Sequence, residues 1–65
     1  MDIKEVYQEV LPYLSDPKVV WEFLEENKEG SREEIIRVIE MNMTESEGSF
    51  KTDLKILLNA LMRQE

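Results

Sequence analysis

The sequence predicts an all-α fold, a small bundle of four short helices forming a single domain over residues 1–65. Three observations carry that prediction. Apolar residues recur at intervals of three and four through most of the chain, the spacing that gathers them on one side of a helix. Each such run follows a residue that caps helices: Asp2, Asp16, Ser31 and Ser49. No stretch alternates apolar and polar residues around a hairpin turn, so nothing calls for a strand.

The first helix follows from Asp2 and Glu5, a capping pair ahead of Ile3, Val6, Tyr7, Val10, Leu11 and Leu14. Pro12 has no amide donor and its ring crowds the preceding turn, so this helix ends or bends between Val10 and Tyr13. Asp16 then caps a second helix from Pro17, where a missing N–H costs nothing, to about Lys28. Its inward face is Val20, Phe23, Leu24 and Asn27, with Val19 or Trp21 at the margins, and Lys28-Glu29-Gly30 stops it.

Ser31 and Glu34 form a capping box that starts a third helix, whose β-branched Ile35, Ile36, Val38 and Ile39 would also suit a strand. The length of the run and the capping box decide for helix. Thr44 to Ser49 reads as a loop, and a fourth helix runs from Phe50 to Gln64 with Ser49 as its cap. Leu54, Leu57, Leu58 and Leu61 are predicted to pack against Val20, Phe23, Leu24, Ile35, Ile36 and Ile39, with Val6, Val10 and Leu14 of the first helix laid across them.

Composition removes several classes of function. A chain of 65 residues holds one small core and has no room for a catalytic domain with a lid. It has no cysteine and no histidine, which takes away disulfides, cysteine zinc sites and the commonest metal ligand and general base. The N-terminus lacks a basic and apolar leader pattern and no stretch is long enough to cross a bilayer, so a cytoplasmic protein without a membrane role is expected. Aligning Gly48 with the obligatory glycine of a calcium-binding EF-hand loop puts Met43 and Leu54 where carboxylates belong, and that reading fails. Asn42-Met43-Thr44 matches a glycosylation sequon by chance near a helix end. No enzyme, metal or cofactor is expected. The carboxylate pairs Glu22–Glu26 and Glu25–Glu29 read as a solvated acidic face.

The fourth helix is more apolar than one small core needs. Ile56, Ala60 and Met62 widen its surface beyond the leucine stripe, and a second copy of the chain or another protein is the expected cover. Trp21 is a further candidate for this protein interface, since tryptophan often anchors contacts, although it serves equally well as core.

Charge points to a second surface. The net charge is −7, but residues 1–49 hold five basic against thirteen acidic side chains, whereas 50–65 hold three against two. The acidic balance works against nucleic acid at long range. Locally, Lys51, Lys55, Asn59 and Arg63 recur every four residues along one stripe interrupted by Asp53. Lysine and arginine can neutralise phosphate, and asparagine can pair with adenine in the major groove. An ordinary solvated helix face has the same composition.

The order of signals from Asp16 onward resembles the three-helix core of helix-turn-helix and winged-helix domains. Residues 16–27 are similar to the first helix of such a core, Ser31 to Ile36 to the start of its second, and Lys51 to Leu58 to its recognition helix. The resemblance implies that Lys51, Thr52, Lys55 and Asn59 would face DNA. The connection from Met43 to Phe50 is longer than the usual tight turn, and no wing follows Arg63. The reading favoured by the sequence is a non-enzymatic protein-interaction or regulatory module that self-associates or docks through its last helix. A DNA-binding regulator using Lys51, Thr52, Lys55, Asn59 and Arg63 is the alternative. An acidic inhibitor that mimics nucleic acid through the nine carboxylates from Glu22 to Glu47 is the third.

Overall fold

The computed structural model describes residues 2–63, and those residues form four α-helices and no strand. Helix α1 spans Ile3–Val10, and the Asp2 carboxylate caps it by accepting from the Lys4 amide at 2.9 Å. At Pro12 the chain tightens into a single 3₁₀ turn, Leu11–Tyr13, as the missing donor requires. Helix α2 covers Pro17–Glu26, slightly shorter than its pattern predicts. Asn27 closes it, its side-chain amide donating to the Phe23 carbonyl at 2.8 Å, so this residue caps the helix rather than joining the core.

Helix α3 covers Arg32–Glu45 behind the predicted capping box, in which the Ser31 hydroxyl accepts from the Glu34 amide and the Glu34 carboxylate accepts from the Ser31 amide. That carboxylate is held below its ordinary value, first by the Ser31 amide, then by the Ser31 hydroxyl and the nearby Arg37 charge. The helix runs through Thr44 and Glu45, the first two residues of the predicted loop; the Thr44 hydroxyl donates to the Glu40 carbonyl one turn back. Asn42 is tied in the same way to Val38.

Only Ser46, Glu47 and Gly48 remain as a turn before helix α4, Ser49–Arg63. Gly48 has φ +74°, a conformation that costs a residue without a Cβ little, and its carbonyl accepts the first helical bond from Thr52 at 3.3 Å. Ser49 is therefore the first helical residue instead of the cap. The sequence reading placed the break by its polar residues, whereas the backbone needed just one glycine to turn.

The core takes residues from every helix: Val6 and Val10 from α1, Val20 and Leu24 from α2, Ile35 and Ile39 from α3, and Leu54, Leu57, Ala60 and Leu61 from α4. Leu14, Phe23, Ile36 and Leu58 are half-buried around it, close to the predicted set. Helix α4 is central because the other three all lean on it. Two polar links secure that arrangement. Arg32, at the start of α3, donates its Nε–H to the Leu61 carbonyl near the end of α4 at 2.8 Å. Asp53 of α4 is fully buried, and its two carboxylate oxygens accept the backbone amides of Ser15 and Asp16 at 2.8 and 2.9 Å.

That last contact corrects the sequence reading of Asp16. Its side chain makes no capping bond; the carboxylate that satisfies the start of α2 comes from 37 residues away. A buried charge is tolerable there because both its oxygens are hydrogen-bonded and it lies beside the positive end of a helix.

Candidate functional site

Along α1, the residues Lys4, Tyr7, Gln8 and the following Leu11 fall at i, i+3, i+4 and i+7, so they share the flank beside the buried Val6 and Val10. On α2, Pro17, Lys18 and Trp21 face them. The space between the two helices is a broad groove of about 700 Å³ lined by these seven side chains and Asp16. Its floor is an aromatic pair, Tyr7 and Trp21, with ring centroids 4.9 Å apart and planes tilted by 57°. The Tyr7 hydroxyl donates to the Pro17 carbonyl at 3.2 Å and latches α1 to the first residue of α2.

The groove is apolar below and cationic above. Leu11 is 40% exposed, and Pro17 and Trp21 are half-buried. Lys4 and Lys18 line it with no ion pair among the described residues, and Asp16 is its sole carboxylate. Lysine side chains reach over apolar surface with their stems while the ammonium stays in water, so such a lining can hold an apolar group beside an acidic one.

The outward face of α4 is built differently. Lys51, Thr52, Lys55, Asn59 and Arg63 are all exposed on it, as their spacing predicts. Asp53 lies one residue before Leu54 and four before Leu57, which turns it toward the core, and the exposed cationic stripe is not interrupted. Sequence reasoning missed this although the signal was present: Asp53, Leu57 and Ala60 fall at i, i+4 and i+7. The stripe is tied down at its end, where Arg63 pairs with Glu9 of α1 at 3.3 Å.

The chain belongs to the MJ1579 family, whose model matches residues 1–65. Comparison with curated proteins and with solved structures returns no match.

In this family member the predicted interface on α4 does not form one surface. Ala60 is wholly buried and offers nothing to a partner, because its small side chain lets α4 approach the core closely on that side. Ile56 is half-buried and lies with Tyr13, Asn59 and Arg63 around a smaller cleft of about 300 Å³. Met62 is 58% exposed, but six residues beyond Ile56 it lies about 120° round the helix, and seven beyond Lys55 it falls within the exposed polar stripe. Trp21 is the predicted interface residue that the fold places in the larger and more apolar of the two concavities. Among the described residues no group of three or more carboxylates is gathered as a metal site, and no helix is long and apolar enough to cross a membrane.

Proposed function

We propose that this chain is a non-enzymatic protein-interaction module that docks a partner in the groove between α1 and α2. The observation that carries the reading is the groove itself: a concavity of about 700 Å³ in a 65-residue protein, floored by Tyr7 and Trp21 with Leu11 partly exposed beside them. Tyrosine and tryptophan are enriched where protein interfaces gain most of their energy. The self-association or docking first expected of Ile56, Ala60 and Met62 is better served by this groove, because it gathers apolar side chains that α4 disperses.

A photo-crosslinking amino acid at Leu11, compared with one at Lys55, tests the assignment in a lysate of the source organism. A protein adduct formed from Leu11 and not from Lys55 supports the groove as the docking site. No adduct from Leu11 removes it.

A DNA-binding regulator is the second reading, favoured by the inward turn of Asp53. With that carboxylate turned inward, the face of α4 that carries Lys51, Thr52, Lys55 and Asn59 has no exposed acidic side chain of its own, although Glu40 of α3 lies across a cleft from Lys51. The three-residue turn from Ser46 to Gly48 also suits a helix-turn-helix better than the longer loop read from sequence. Its test is a salt-dependent affinity for duplex DNA that Lys55→Glu abolishes; no binding at low salt removes it.

A further inference from the structure

We infer that the α1–α2 groove receives an amphipathic segment of a partner protein that presents apolar side chains beside carboxylates; this rests on reading the groove as the docking site. The argument is one of charge complementarity in an unexpected place. Residues 1–49 carry thirteen carboxylates and only five cations, yet two of those five, Lys4 and Lys18, line the one groove with an aromatic floor. Neither is paired with a carboxylate among the described residues. Lys28, in the turn that follows α2, sits instead in an ordinary i,i+3 pair with Glu25.

The overall charge of −7 repels an acidic partner at a distance, so the local field must decide. At physiological ionic strength charges more than about 8 Å apart are largely screened, and a carboxylate seated in the groove interacts chiefly with Lys4 and Lys18 against the single carboxylate of Asp16, a lining that still favours an anion. Its neighbours along the segment would cover Tyr7, Leu11 and Trp21. The groove is broad and open to solvent, with room for several side chains of a segment laid across it.

Trp21 is the only tryptophan in the protein, so its fluorescence reports directly on the groove. The probes are three blocked nine-residue peptides that alternate leucine and phenylalanine with glutamate, with serine or with lysine. The glutamate peptide is expected to shift Trp21 emission saturably, at least about tenfold more tightly than the other two. Its affinity falls with added salt and drops at least about tenfold in the Lys4→Glu/Lys18→Glu double variant, whose exposed substitutions leave the helical circular dichroism unchanged. If the serine or lysine peptide binds as tightly as the glutamate peptide, the groove still docks apolar segments and the acidic partner is refuted. If none of the three changes Trp21 emission up to millimolar concentration, the docking reading falls as well. Amide shifts that move on dilution of the protein alone and map to the groove would make its occupant a second copy, which also overturns the inference.

Discussion

The groove between α1 and α2 is concave and aromatic with two lysines among its lining side chains, whereas the outward face of α4 is convex and presents Lys51, Thr52, Lys55 and Asn59 with Met62 among them. Both carry unpaired cations in an acidic protein, but they differ in what surrounds the charge. A partner docked in the groove as proposed would displace water from apolar surface, and the lysines would orient the contact. On α4 there is little apolar area to cover, so any affinity there would be electrostatic and lost with salt. The difference shows that the sign of a surface says less about its use than the shape and apolar area beneath it.

Asp53 connects the two regions, and breaking it is expected to have the largest effect. It holds the start of α2, one wall of the groove, against α4, and its inward turn keeps a carboxylate off the outward face. Asp53→Ala deletes two hydrogen bonds to a charged group at about 1.5–3 kcal/mol each, not fully additive, for a loss of roughly 3 kcal/mol. Stability in a domain of this size is on the order of 3–10 kcal/mol, so urea melts should show a large fall in midpoint. A change under about 0.5 kcal/mol would mean that the α2 amides are satisfied as well by water.

Tyr7→Phe sharpens the comparison from the groove side. It keeps the ring against Trp21 and removes the bond to the Pro17 carbonyl, at a cost of about 0.5–1.5 kcal/mol. Thermal melts should fall by several degrees, with Trp21 emission altered because its wall is no longer latched. Met62→Glu probes the other side: on an exposed side chain it should move stability by less than about 0.5 kcal/mol and leave the solution mass as it was. A fall in mass would restore α4 as the self-association surface first expected.

The smallest effect lies away from both regions. The Glu34 carboxylate is held below its ordinary value by the Ser31 amide and hydroxyl, so its contribution is fully present above the unfolded carboxylate pKa, near 4.3, and is lost as pH falls through the lower folded value. The stability gap between the wild-type chain and Glu34→Gln should therefore narrow as pH falls below about 4. A gap that widens in acid would contradict the capping box.

What could be read in advance depended on how local the cause was. The helix starts at Asp2, Pro17 and Ser31 are written within one turn of sequence, and the structure keeps all three. The leucine stripe of α4 and the facing residues of α2 and α3 followed from spacing alone, since an apolar face must be covered. The candidate groove was not legible, because Tyr7 and Trp21 are 14 residues apart and each looks like an ordinary margin of its own helix.

The sequence by itself therefore determined an all-α bundle, most of its helix boundaries and most of its core. Tertiary packing decided that Ala60 is interior, that Asp53 caps a helix remote in sequence, and that two helix margins meet to make a groove. The physical reason is that periodicity tells which residues share a face, but the fate of a face's edge depends on what stands opposite. A small alanine is drawn into the core where a neighbouring helix comes close, and a carboxylate can be buried wherever unpaired amides await it.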